Sequence, residues 1–178
     1  RRLSGLVEDL LDFSRVQNGR LAVSMEKFDI IAELSEAVLV YEEEARKHGV
    51  QLIYSEPSDT PPVLGDRNRI RQVFVNIIDN AVKYSSAGDV VTIVAESTEK
   101  TVSVFISDTG RGIPQEQLPR VKEKFYKIDK TVRGSGIGLA VADEIIKMHK
   151  GTLEIRSEEG KGTIVTITLP VYVEAGLQ

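Results

Sequence analysis

The sequence predicts an α/β (α+β) two-layer architecture, a mixed sheet backed by helices behind an N-terminal helical stub. Three observations carry this. Segments with helical apolar periodicity are interspersed with short alternating segments. The last two of those are joined by Ser157-Glu158-Glu159-Gly160, a turn fit for a hairpin and so for antiparallel neighbours. And 178 residues, 41% apolar and 28% charged, suffice for one domain with a real core plus an appended element.

The elements follow in order. Leu3, Leu6, Leu10, Phe13 and Gln17 recur at spacings of three and four until Asn18-Gly19 supplies a stop. This reads either as the end of a longer, coiled-coil-like helix or as an amphipathic helix on the domain's own core. Residues 21–28 form a strand-like lead-in. Asp29 then caps a helix with Ile30, Ile31, Leu34, Val38, Tyr41 and Ala45 on one face, ended by Gly49. A strand over 50–54 runs into a loop with Pro57, Pro61 and Pro62, after which Asp66 caps a helix from Arg67 to about Tyr84. Strands over 90–96 and 102–107 come next, then a glycine-rich and basic loop region, a helix from about Gly138 to His149, and strands over 152–156 and 163–169. Residues 171–178 read as a tail.

Several function classes are excluded by composition. A net charge of −4 argues against a general nucleic-acid surface. No apolar run approaches the roughly 18 residues of a membrane span, and no signal-peptide pattern opens the chain, so a soluble fragment is expected. There is no cysteine, hence no disulfide, thiolate metal site or cysteine nucleophile. His48 and His149 lack a second ligand at metal spacing and are expected to be structural or superficial.

The chemistry concentrates in three places. The alternating run Val102 to Ser107 ends on Asp108, followed by Thr109-Gly110-Arg111-Gly112-Ile113; a carboxylate at a strand exit can read a base. A second glycine stretch, Gly134-Ser135-Gly136-Ile137-Gly138-Leu139, opens a helix whose N-terminal N–H groups suit a phosphate. Between them seven bases (Arg111, Arg120, Lys122, Lys124, Lys127, Lys130, Arg133) outnumber three acids (Glu116, Glu123, Asp129). Together these suggest a nucleotide pocket. In the helix after Asp66, Ile70, Val73, Phe74, Ile77, Ile78 and Ala81 form the core stripe, and Asn76, Asn80 and Lys83 recur at i, i+4 and i+7 on the opposite face. That stripe reads either as a solvated back or as ligand chemistry. Asparagine in mid-helix costs several tenths of a kcal/mol relative to alanine, which weakens the first reading. An amide oxygen suits Mg²⁺ held mostly by phosphate and water, and a lysine one turn on can neutralise phosphate charge.

Other phosphate motifs fit worse. A dinucleotide fingerprint would need glycine where Leu139 stands, and a P-loop would need serine or threonine after Lys161, which Gly162 follows.

At these residues the chain resembles a known family. Gln72-Val73-Phe74-Val75-Asn76-Ile77-Ile78-Asp79-Asn80-Ala81-Val82-Lys83-Tyr84-Ser85 is similar to the N box of sensor histidine kinases, and Asp108 to Gly112 to their first glycine box. Lys124-Phe125-Tyr126 resembles their F box, Gly134 to Gly138 the second glycine box, and Gly160-Lys161-Gly162-Thr163 the glycine-threonine that opens the last strand. Five motifs in family order make the resemblance specific. It covers residues 23–170 as the catalytic ATP-binding domain. Residues 1–22 resemble the end of the second helix of the dimerisation and phosphoacceptor domain.

The resemblance implies a Bergerat-type sandwich with a mostly antiparallel sheet, shared with gyrase, MutL and the large heat-shock chaperone ATPases. It implies that Asp108 accepts a hydrogen bond from the adenine amine, so that GTP, with a carbonyl there, binds poorly. It places Asn80 on Mg²⁺, Asn76 and Lys83 near the phosphates, Tyr84 against adenine or ribose, and Thr163 in the adenine network. Gly110, Gly112 and Ile113 would line the adenine side. Phe125, Lys130, Arg133, Gly134, Ser135, Gly136, Ile137, Gly138 and Leu139 would belong to the lid side, with Arg133 reaching the triphosphate. Asn76, Lys83 and Arg133 would be the catalytic set.

The implied activity is transfer of the ATP γ-phosphoryl group to a histidine. The implied partners are a histidine phosphoacceptor domain and a response-regulator receiver domain, within a cytoplasmic part of a homodimeric, membrane-anchored sensor. One departure stands out: neither His48-Gly49 nor His149-Lys150 resembles the family's phosphoacceptor sequence. The acceptor is therefore expected on another polypeptide. The sequence leaves two alternatives, a nucleotide-gated switch without catalysis and a slow ATPase clamp of the gyrase kind. The clamp would carry a glutamate base where Asn76 stands.

Overall fold

The computed structural model describes Leu11, Ser14, Arg15, residues 22–122 and residues 138–174. The helix expected before residue 19 therefore lies essentially outside the described residues. Strand β1 (Glu26–Phe28) leads into helix α1 (Ile30–Lys47), and strands β2 (Gln51–Tyr54) and β3 (Val63–Gly65) precede helix α2 (Arg67–Lys83). Strands β4 (Val90–Ser97) and β5 (Thr101–Asp108) follow, then a 3₁₀ turn at Leu118–Arg120, helix α3 (Gly138–Met148) and strands β6 (Thr152–Glu158) and β7 (Gly162–Pro170).

The five-stranded sheet runs β2-β4-β5-β7-β6, with β2 parallel to β4 and every other pair antiparallel. It is the mixed, mostly antiparallel sheet expected. Its inner face carries Val91, Ile93, Val102, Val104, Ile106, Leu153, Ile167 and Leu169, all buried against the helices. From α2 the stripe Ile70, Val73, Phe74, Ile77 and Ile78 is buried almost completely, as its period requires. Each such side chain contributes about 1.5–3 kcal/mol of burial free energy, which outweighs the weak helix propensity of the asparagines on the same helix.

The caps are those the sequence indicates. Asp29 Oδ1 accepts the Ile31 N–H at 2.9 Å, and Asp66 Oδ1 accepts the N–H groups of Asn68 and Arg69 at 3.1 Å. Glu33, buried in α1, accepts from Arg71 Nε at 2.7 Å and so fastens α1 to α2. His149 is also structural. Its Nδ1 lies 2.7 Å from the Ile145 carbonyl, which can only accept, and its Nε2 accepts the Asp66 N–H at 2.9 Å, joining the end of α3 to the cap of α2.

Two local readings need correction. The proline loop is not loop throughout, because Val63–Gly65 pairs antiparallel with β1 to make a separate two-stranded ribbon. And the start of the expected tail is tied down: Val171 bridges Val63 and donates its N–H to the Lys100 carbonyl, while Tyr172 donates to the Pro62 carbonyl. Both depend on partners distant in sequence.

Candidate nucleotide site

Asp108 is the last residue of β5, between Val91 of β4 and Thr163 of β7. Its Oδ1 accepts the Gly110 N–H at 2.9 Å. Burial raises its pKa to about 6, opposed by hydrogen bonds from the Gly110 and Thr163 backbones; the charge of Asp89 adds slightly to the rise. The result is a sheltered carboxylate, ionised at neutral pH and held in one orientation. Such a group accepts hydrogen bonds from a ligand's N–H and repels a ligand's carbonyl.

The turn after β5 is bound to the end of α2. Arg111 donates its N–H to the Tyr84 carbonyl at 3.3 Å, and its guanidinium stands 5.5 Å from the centre of the Tyr84 ring. Gly110 lies beneath that carbonyl so closely that a Cβ would fall 2.5 Å from it and 2.9 Å from Asp108 Oδ1. Gly162, at the start of β7, has φ of +126°, and a Cβ there would overlap the Asp108 carbonyl oxygen. Only glycine permits this approach at both places. Gly112 and Ile113 complete the turn.

Ser157 of β6 holds the other side. Its Oγ takes the Ile113 N–H at 2.8 Å, donates to the Gly162 carbonyl at 2.9 Å and meets Thr163 Oγ1 at 2.8 Å. Thr163, read as part of the adenine network, thus stands opposite Asp108 with its hydroxyl fixed from behind.

Along the polar stripe of α2, Asn76, Asn80 and Lys83 are all partly buried. Asn76 Nδ2 donates to the Gly138 carbonyl at 3.3 Å, tying the stripe to the first residue of α3, where Leu139 follows. Lys83 Nζ lies 2.6 Å from Asp79 Oδ2. Tyr84, at the end of α2, carries the stripe to the Asp108 turn. Among the described residues no group of three or more His, Cys, Asp or Glu side chains could hold a metal ion. A cation here would take its ligands from an amide such as Asn80, from substrate phosphate and from water, which is the donor set Mg²⁺ favours. The sequence-predicted residues Lys124, Phe125, Tyr126, Lys127, Lys130, Arg133, Gly134, Ser135, Gly136 and Ile137 lie outside the described residues.

Three residues of the site escaped sequence reading: Ser157, Arg111 as the partner of Tyr84, and Asp79. Ser157 falls just past the expected strand end, and its role arises from pairing with Thr163 across β6 and β7. Asp79 carried a helical signal, four residues before Lys83.

Among the described residues no helix is long and apolar enough to cross a membrane. The adaptive-response sensory kinase SasA of Crocosphaera subtropica is 35% identical over 175 residues, 97% of this chain and 46% of that protein. The chain thus spans less than half the length of that relative. The Acinetobacter baumannii histidine kinase AdeS superposes with a TM-score of 0.75 at 32% identity, covering 96% of this chain and 79% of that one. Full-length ShkA in complex with AMPPNP does so with a TM-score of 0.84 at 26% identity, covering 98% of this chain and 37% of that one. Residues 65–173, the span from the end of β3 through both glycine boxes to just past β7, match the model described as histidine kinase-, DNA gyrase B-, and HSP90-like ATPase, and the chain belongs to that family as the ATP-binding catalytic domain of a sensor histidine kinase.

Proposed function

We propose that this domain binds ATP with Mg²⁺ and presents the γ-phosphoryl group to a histidine on a phosphoacceptor domain, from which it passes to a response-regulator receiver domain. The observation that carries the adenine end is the sheltered Asp108 carboxylate, held by the Gly110 and Thr163 backbones. Asp108 would accept from the exocyclic amine of adenine. Tyr84, Thr163 and the Gly110–Ile113 turn would enclose the base, and Asn76 and Lys83 would face the phosphates with Arg133. Mg²⁺, with Asn80 among its ligands, would offset phosphate charge.

In the transfer, an imidazole nitrogen of the acceptor attacks the γ-phosphorus. The P–N bond forms as the P–O bond to the β-phosphate breaks, and ADP leaves with the electron pair. The domain's own contribution is positioning and charge neutralisation. Asn76 cannot take a proton from water, which argues against a fast ATPase clamp. His149 is no acceptor either: it is buried and engaged at both ring nitrogens. Residues 1–22 are read as the end of the phosphoacceptor domain's second helix, 23–170 as the catalytic domain, and the whole as the cytoplasmic part of a dimeric, membrane-anchored sensor.

The test is calorimetric titration with AMPPNP and with the corresponding guanine analogue, each with and without Mg²⁺. Adenine-selective, magnesium-sensitive binding is expected. Equal affinity for the two bases would refute the assignment of Asp108.

A further inference from the structure

Lys83 does not project alone from the polar face of α2, because the Asp79 carboxylate lies 2.6 Å from its ammonium, one turn earlier. Both side chains are sheltered, 30% and 24% exposed, whereas the helical pair Arg46–Glu43 stands at 76% and 59%. Water screens an open pair of that kind almost completely; a sheltered one keeps more of its field and acts on whatever enters beside it. Asp79 immediately precedes Asn80 and lies one turn from Asn76, whose amide is fixed to the Gly138 carbonyl. The carboxylate therefore flanks the face assigned to phosphate and cation, and it cancels the one cation that face carries among Asn76, Asp79, Asn80 and Lys83.

The consequence depends on the charge of the incoming ligand. A free triphosphate meets a lysine whose charge the carboxylate already offsets, and so gains little attraction there. The magnesium complex carries two fewer negative charges and brings a cation that the same carboxylate attracts. We propose that Asp79 is a positioning and specificity-determining residue, which holds the Lys83 ammonium along the helix and makes the site prefer the magnesium-complexed nucleotide to the free one. This rests on the reading of the site as an ATP site, and it assigns Asp79 no place among the metal's ligands.

The experiment is calorimetry of AMPPNP binding to the parent and to Asp79→Asn, with Mg²⁺ and with chelator, after thermal unfolding has shown the variant folded. Asp79→Asn keeps the shape and removes the charge. The ratio of affinities with and without Mg²⁺ is expected to fall about threefold to tenfold, chiefly because the free analogue binds more tightly, and the effect should shrink as salt is raised. Asp79→Glu should restore the parent's ratio, and Asp79→Ala serves as the neutral variant if asparagine impairs folding. A neutral variant that keeps the parent's ratio, or that weakens both conditions equally, overturns the proposal and leaves the ATP site standing. A parent that binds no analogue in either condition overturns both.

Discussion

The Asp108 carboxylate should cost the folded protein stability in exchange for the recognition it provides. Its pKa of about 6, against an ordinary value of 3.8, means that between those values the native state holds more proton than the unfolded chain. Stability from this group therefore falls as pH rises through that window, and the full penalty is present above it. The difference between the two values converts to ~3 kcal/mol, and discounting for the group's partial exposure leaves ~1–2 kcal/mol. Asp108→Asn removes the charge at nearly constant shape. Paired melts of parent and variant without nucleotide, at about pH 4.5 and about pH 7.5, isolate the group, since every other titration is common to both. The variant should gain on the parent by roughly 3–6 °C in Tm between the two conditions. Any constant offset reports packing or hydrogen bonding instead of charge. Nucleotide should raise the parent's Tm and leave the variant's unchanged, because a ligand stabilises only what it binds. A Tm difference that is the same at both pH values would refute the argument that a buried, ionised carboxylate is maintained here.

Two further outcomes follow from the site's packing. Gly110→Ala places a Cβ 2.5 Å from the Tyr84 carbonyl and 2.9 Å from Asp108 Oδ1, so the turn must shift. Adenine-analogue affinity should drop at least about tenfold with a stability loss of ~1–3 kcal/mol, and calorimetry that matches the parent would show that the turn yields freely. Ser157→Ala removes the hydroxyl shared by Ile113, Gly162 and Thr163 and leaves a sheltered N–H without its acceptor, at a cost of ~1–3 kcal/mol in urea unfolding. Nucleotide affinity should fall too, because Thr163 loses its support; an unchanged affinity would separate Ser157 from the site.

What the sequence by itself determined is the content of each element and the order of the chemistry. Asp29 and Asp66 cap their helices because an Asx side chain reaches the next turn's N–H groups whatever surrounds it. Val102, Val104 and Ile106 turn to the core because a strand alternates its faces. The motif order from Asn76 to Thr163 is legible for the same reason: each signal is local, and the family resemblance only strings local signals together. Tertiary structure decided everything that depends on a distant partner. Val63–Gly65 becomes a strand only because β1 lies beside it, and Tyr172 is tied down only through Pro62. Thr163 faces Asp108 because β7 inserts between β5 and β6, and that placement also turns Ser157 into the support of both. The raised pKa of Asp108 belongs to the same class, since burial is a property of the assembled layers and no spacing in the sequence encodes it.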